Sequence, residues 1–166
     1  MKIELNDIYL YPLASEELSL LINNLLELEK KLCCKYCAEP ITDILKNVIQ
    51  SQLILGLTDS EDNWKWHTYW LIIRSLDRKI VGLVFFNGNP NTNGEVEIGY
   101  CLGKDFEHKG YMTQSVTAIC NWALKETGIK HIIAETKKDN YKSQNLLKRC
   151  GFYKYMETDY SIIFKL

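Results

Sequence analysis

One segment constrains the fold more than any other: an apolar strand runs into a polar loop that carries a glycine, and a helix follows. The strand is predicted over 95–102, and helical spacing of apolar residues returns from about 110 to 127. Gly110 stands where the helix starts. The first amides of a helix lack partners within the helix and carry partial positive charge, so this unit favours an anion such as a phosphate. An ordinary turn before a helix would give the same pattern, and the segment alone leaves both interpretations open.

The elements around this unit predict a single mixed α/β domain. Short connections between the strands near the middle of the chain favour an antiparallel meander. The predicted order is β-α-α-β-β-β-α-β-α-β-β, from these segments: a strand at 7–11, a helix from an N-cap at Ser15 to about Cys34, a helix beginning near Pro40 and ending at Gly56, a loop at 58–63, strands at 66–74, 79–86 and 95–102, a helix at 110–127, a strand at 129–135, a short helix capped by Asp139 or Asn140, and strands at 152–156 and 160–165.

Length and charge exclude several classes of function. A chain of 166 residues suits one domain, and a net charge of −1 gives no general basic field to hold nucleic acid. The N-terminus has no apolar core typical of a secretory signal, and no stretch reaches the roughly 20 apolar residues that span a bilayer. The sequence therefore predicts a cytoplasmic protein that binds neither membrane nor nucleic acid. One basic cluster remains to be explained: Lys137, Lys138, Lys142, Lys148 and Arg149.

The six cysteines are expected to be reduced, since the chain lacks a secretory signal. Cys33, Cys34 and Cys37 are close in sequence, but a zinc site would need a second paired set of ligands, which the sequence lacks. We therefore predict no metal site, and cysteines that pack as small apolar groups at a helix end.

Two motifs stand out in the second half of the chain. The first runs Glu97-Ile-Gly-Tyr-Cys-Leu102 and continues, after the loop, as Lys109-Gly-Tyr-Met-Thr-Gln114. The second begins at Asn140, has a serine at 143 and closes with Gly151-Phe152. Together they resemble the GNAT acetyltransferase superfamily, in particular the branch of the ribosomal-protein N-terminal acetyltransferases. The likeness covers about 65–166 well, whereas 1–60 is similar mainly in the order of its elements.

The resemblance implies a GNAT-like domain over 1–166, in which 65–166 forms the acetyl-CoA-binding core and 1–60 the helical acceptor side. The backbone near Tyr100–Leu102 would pair with the pantetheine arm of acetyl-CoA, and the amides of about 108–112 would hold its pyrophosphate. The basic cluster would lie beside the 3′-phosphate. The implied cofactor-binding residues are Tyr100, Cys101, Leu102, His108, Lys109, Gly110, Tyr111, Met112, Thr113, Asn140 and Ser143.

Three positions depart from the family pattern. Glu107 places an acid where glutamine or arginine is usual, near a diphosphate that it should repel. Met112 replaces a small residue near the pyrophosphate, and Leu147 stands where many relatives have a tyrosine that protonates the departing thiolate. Backbone amides supply most of the phosphate contacts, so we expect weaker cofactor binding and not its loss.

The implied reaction is direct attack of an amine on the thioester of acetyl-CoA. Glu97 is the candidate general base, since alternation along the strand puts it on the face opposite Tyr100. A solvated strand face or a salt bridge would account for Glu97 equally well. A backbone N–H near Tyr100 or Cys101 could stabilise the oxyanion. Water, Tyr100 or Tyr141 could protonate the thiolate, and Cys101 is interpreted as a packing residue.

The acceptor is left open by the sequence. A primary amine is implied, either a protein N-terminus or a small amine such as a polyamine or an aminoglycoside. The aromatic residues Trp64, Trp66, Tyr69 and Trp70 could form core, an acceptor pocket or the face of a homodimer. The alternative function is a GNAT-shaped protein that binds CoA as a sensor or binds a partner, without turnover.

Overall fold

The computed structural model describes residues 1–58 and 64–166. Within these ranges the strands are β1 (Ile3–Glu4), β2 (Ile8–Pro12), β3 (Lys35–Tyr36), β4 (Tyr69–Arg74), β5 (Lys79–Phe86), β6 (Glu95–Leu102), β7 (His131–Lys137), β8 (Tyr153–Glu157) and β9 (Ser161–Lys165). They form one sheet in the order β1-β2-β4-β5-β6-β7-β9-β8, and β3 pairs with β5 in parallel.

The helices of the described residues are α1 (Ser15–Asn23), α2 (Leu25–Leu32), α3 (Asp43–Thr58), α4 (Tyr111–Ala123) and α5 (Tyr141–Arg149). Short 3-10 turns lie at Trp64–Trp66 and Lys104–Phe106. No helix in the described part of the chain is both long enough and apolar enough to cross a membrane.

The sheet is covered by a different set of helices on each of its two faces. One apolar cluster joins the sheet to α4 and α5 and includes Val96, Ile98 and Val116. The other joins it to α1, α2 and α3 and includes Leu83 and Ile49. Side chains alternate between the faces along a strand, so neighbouring residues of β6 contact different clusters. This mixed α/β architecture, with a largely antiparallel sheet between helices, confirms the predicted fold class.

The sheet opens between β6 and β7. These strands pair in parallel only where Glu95–Glu97 of β6 lie beside His131–Ile133 of β7. Further along, β6 pairs with β5 over Ile98–Leu102, while β7 pairs with β9. The backbone of the second half of β6 therefore has a free edge that faces the gap between the two strands.

The N-terminal third differs from the prediction in several ways. The helix predicted from 15 to 34 is two helices, because Asn24 leaves the helical conformation and its side chain accepts a hydrogen bond from the Glu27 amide. The N-cap of α1 is Ala14 and not Ser15, and the Glu17 carboxylate accepts from the Ala14 amide at 2.9 Å. The predicted strand at 7–11 runs from Ile8 to Pro12, and the short strands β1 and β3 were not predicted.

The bounds of the other helices and strands differ less from the predicted ones. Helix α3 continues past Gly56 to Thr58, so this glycine does not end it. The predicted loop at 58–63 lies outside the described residues except for Thr58. β5 and β6 have the predicted bounds, whereas the predicted strand at 66–74 begins only at Tyr69. The helix predicted over 110–127 is shorter, and the strands predicted over 129–135, 152–156 and 160–165 begin one or two residues later.

The aromatic cluster is mainly core. Trp66 and Trp70 are buried, and their rings lie 5.3 and 5.1 Å from that of Trp122 on α4. Tyr69 points to the other face, where its ring stacks on Phe85 at 4.3 Å. Large aromatic rings stabilise a core by the apolar area that they bury, and this accounts for the cluster without an acceptor pocket or a dimer face.

Candidate cofactor cleft and acceptor face

A cleft of about 430 Å³ lies at the second half of β6, where it meets the start of α4 and one side of α5. Three segments of the chain form its walls: the free strand end, the loop before α4, and α5. The residues that line it are Tyr100, Cys101, Leu102, Glu107, His108, Gly110, Tyr111, Met112, Thr113, Asn140, Lys142, Ser143, Asn145, Leu146 and Arg149. Residues more than 40 positions apart in sequence therefore contribute to one cavity.

Ten of the eleven cofactor-binding residues predicted from the sequence line this cleft. The exception is the side chain of Lys109, which donates a hydrogen bond to the Asp105 carbonyl at 2.8 Å and lies 5.2 Å from the ring centre of Phe106. Lys109 thus folds back along its own loop, away from the cavity.

The loop before α4 has the backbone geometry of an anion site. Gly110 is the N-cap of α4 with φ 76°, and His108 also has a positive φ of 61°. Alternating left-handed residues next to a helix start turn successive amides toward one point. Among residues 1–58 and 64–166, a Cβ at Gly110 would meet only Gln114 Nε2, at 3.8 Å, so a glycine is required here for the backbone conformation and not for lack of space.

The structure accommodates in different ways the two residues near Gly110 that differ from the family pattern. Met112 is only 7% exposed and packs in the apolar cluster beneath the cleft, so its bulk is directed into the core. Glu107 accepts a hydrogen bond from Lys142 of α5, with Nζ 2.6 Å from Oε2. This lysine holds the pKa of Glu107 below its usual value, and the carboxylate is ionised at neutral pH. Sequence reasoning missed the pair because its members are 35 residues apart.

A hydrogen bond also joins β6 to α5 inside the cleft. The Tyr100 hydroxyl and the Ser143 hydroxyl lie 2.8 Å apart. Burial raises the pKa of Tyr100 to about 12, so the phenol keeps its proton at neutral pH. Tyr141, the other tyrosine considered for proton donation, is 70% exposed and does not line the cavity.

Asn140 is the N-cap of α5, and its side-chain oxygen accepts from the Ser143 amide at 3.1 Å. We expect Asn140→Ala to lower the free energy of unfolding by about 1 kcal/mol, since the alanine leaves a helix-end amide without its partner. Chemical denaturation checks this value. Asn140→Asp, which can also cap the helix, is the control and should retain most of the stability. An alanine variant as stable as the parent would contradict the capping role.

Glu97 lies on the opposite face of β6, outside the cleft lining, and is half-buried. Burial raises its pKa, Glu135 of β7 raises it further, and a hydrogen bond from the Asn87 side chain opposes both. Among residues 1–58 and 64–166, Glu97 has no cationic partner within 4.0 Å, whereas Glu95 pairs with Lys165 at 2.8 Å. Of the two carboxylates on this face, Glu97 is the one without a structural salt bridge.

Glu135 was not singled out from the sequence. Alternation along β7 buries Ile132, Ala134 and Thr136 and turns Glu135 to the other face, where it interacts electrostatically with Glu97. The two carboxylates come from the two strands that separate. Glu97 belongs to the last parallel pair of β6 and β7, and Glu135 follows that pair on β7. The period-two pattern of 131–137 was the available signal, but it does not reveal that β7 lies beside β6.

Cys101 belongs with the core on this same face. It packs against the cluster of α1–α3, and burial raises its pKa, so the thiol is not activated as a nucleophile. The nearby hydroxyl of Tyr69 is fully buried and has no hydrogen-bond partner among the described residues. These observations support the interpretation of Cys101 as a packing residue.

Comparison with known proteins gives the family. Residues 13–153 match the family model described as the acetyltransferase (GNAT) domain. The uncharacterized N-acetyltransferase YjdG of Bacillus subtilis is 36% identical over 83 residues, which is 50% of this chain and 49% of that protein. The match thus spans about half the length of this relative.

Solved structures agree with the family at the level of the fold. The ribosomal L7/L12 α-N-protein acetyltransferase RimL in complex with CoA has a TM-score of 0.68 at 18% identity, covering 100% of this chain and 97% of that one. The microcin C7 self-immunity acetyltransferase MccE in complex with acetyl-CoA and AMP has a TM-score of 0.61 at 26% identity, covering 98% and 93%. The chain belongs to the GNAT acetyltransferase family.

Proposed function

We propose that this protein is an acetyl-CoA-dependent N-acetyltransferase that transfers an acetyl group to a primary amine by direct attack. The observation that carries the proposal is the cleft formed by the free edge of β6 and the left-handed Gly110 at the start of α4. A free strand edge can pair with an amide-bearing chain, and a helix start can hold phosphate. In acetyl-CoA, pantetheine is an amide-bearing chain and is joined to a pyrophosphate, so one molecule carries both groups.

The residues of the cleft fit such a cofactor. The amides that follow Gly110 would hold the pyrophosphate, and Lys142 and Arg149 supply positive charge on the opposite wall. The backbone of Tyr100–Leu102 would pair with the pantetheine arm. When bound, acetyl-CoA supplies the activated acetyl group as a thioester. RimL and MccE, which share the fold, were solved with CoA and with acetyl-CoA, and this supports CoA as the ligand.

Glu97 would accept the proton of the attacking amine, directly or through water. Its raised pKa makes it a better base than an exposed carboxylate. Glu135 faces the same region, and two carboxylates together would attract a cationic amine before it loses its proton. Tyr100, protonated at neutral pH, would donate a proton or a hydrogen bond to the departing thiolate.

Thiol release tests the activity. With acetyl-CoA and a panel of primary amines (N-terminal peptides, a polyamine and an aminoglycoside), we expect free CoA thiol to appear at a rate that depends on the amine. Mass spectrometry should find the acceptor heavier by one acetyl group. Peptides with a blocked N-terminus and no lysine are the control and should release no thiol above background. Binding of acetyl-CoA without acetylation of any amine would contradict the proposal.

One observation favours the alternative, a CoA-binding sensor or partner-binding protein without turnover. Leu147 stands where many family members have a proton-donating tyrosine, and its buried hydrocarbon side chain has no proton to donate to a thiolate. Stabilisation of the fold by acetyl-CoA, with no turnover across the amine panel, is the result that this alternative predicts.

A further inference from the structure

A salt bridge crosses the cleft. Glu107, in the loop before α4, and Lys142, on α5, belong to opposite walls and are joined at 2.6 Å. Both side chains line the cavity, and Glu107 is the only carboxylate among its described lining residues. His108 Nε2 lies 3.8 Å from the same carboxylate oxygen. The one acid of the cleft is thus paired with a cation that faces the proposed phosphate site.

The loop and the helix are held in place without this ion pair. Phe106 is buried, the Glu107 amide donates to the Lys104 carbonyl at 3.2 Å, and Lys109 fixes the loop from outside. On the other wall, the Asn140 cap and the buried Leu147 position α5. The Lys142 side chain is 76% exposed, and exposed pairs contribute little to folding. The pair is therefore free to exchange partners.

We propose that Glu107 competes with the phosphates of the cofactor for Lys142, and thereby weakens cofactor binding and speeds the release of CoA. This inference rests on the proposed function, since it needs a phosphate-bearing ligand in the cleft. Lys142 donates to Glu107 in the free protein, and the charge and the N–H that it commits there are not available to phosphate. The cost of breaking the first pair is subtracted from the affinity for the ligand.

Calorimetric titration of CoA into Glu107→Gln tests the competition. The amide removes the competing charge and keeps the shape, so we expect CoA to bind about twofold to fivefold more tightly than to the parent. Pantetheine, which carries no phosphate, should bind both proteins equally. The matched control is Glu16→Gln, which removes the carboxylate of a similar exposed pair with Lys31, 2.7 Å apart, far from the cleft; it should leave CoA affinity unchanged.

The Lys142→Met background separates competition from simple repulsion. In the Lys142→Met protein, Glu107 has no lysine at position 142 to pair with. The fold-increase in CoA affinity caused by Glu107→Gln should therefore be less than half of that seen in the parent. Retention of the full gain would assign the effect to repulsion between Glu107 and phosphate and overturn the competition. Unchanged or weaker CoA binding by Glu107→Gln would overturn it as well. Failure of the parent and all variants to bind CoA would instead overturn the proposed function, and the competition with it.

Discussion

Gly110→Glu is expected to weaken CoA binding by at least about 100-fold. A β-carbon at φ 76° costs on the order of 1–2 kcal/mol, and the added carboxylate would stand at the start of α4, where we propose that the phosphate binds. Repulsion of a doubly charged pyrophosphate adds to that cost. Calorimetric titration of CoA measures the loss, and thermal unfolding should show that the variant still folds, since among the described residues a Cβ at position 110 would meet only Gln114.

Gly110→Asn is the matched control for this prediction. Asparagine tolerates the left-handed conformation better than other non-glycine residues and adds no charge. We expect it to bind CoA within about tenfold of the parent, whereas Gly110→Ala, which carries strain alone, should lie between the two. Parental affinity in the glutamate variant would show that the phosphate is bound elsewhere.

Glu97→Gln is expected to lower kcat/KM by roughly 100-fold to 10,000-fold, the range typical of a lost general base. CoA affinity should remain unchanged, because Glu97 lies outside the cleft lining. Glu95→Gln removes a carboxylate from the same face of β6, but Glu95 is paired with Lys165, so this control should affect stability more than rate. Equal losses of activity in both variants would argue that Glu97 acts only through the fold.

The pH dependence of kcat/KM provides a second readout for Glu97. The base works when ionised, so the rate should rise with pH through the raised pKa of Glu97. Glu135→Gln removes a neighbouring negative charge that raises this pKa. The acidic limb of the profile should therefore move to lower pH in this variant. A shift to higher pH, or none, would exclude electrostatic coupling between the two carboxylates as a feature of the reaction.

The second half of the chain was more predictable from sequence than the first. β5 and β6 carry strong apolar patterns with turn residues at their ends, and their bounds were predicted to the residue. The cleft residues were found because two local motifs, near Gly110 and Asn140, mark two of its walls. In the first third, by contrast, the apolar stripe runs through Asn24, and only the capping bond to Glu27 reveals that one helix ends and another begins.

The contacts that modify the site could not be predicted from the sequence, because they join residues that are distant along the chain. The partner of Glu107 depends on how α5 lies against the loop, and the neighbour of Glu97 depends on β7 pairing in parallel with β6. Local periodicity carries no information on either. The pattern did place Glu97 and Tyr100 on opposite faces of β6, because alternation is a local property of any strand.

Hydrogen exchange of the protein with and without CoA tests the central claim most directly, since it locates the ligand without altering the chain. We predict slower exchange in three segments: the free edge of β6 over 98–102, the loop and helix start over 107–113, and α5 over 140–149. The helices α1 and α2, which lie outside the cleft lining, should change little. Protection confined to other segments, or an absence of protection at saturating CoA, would contradict the assignment of this cleft to acetyl-CoA.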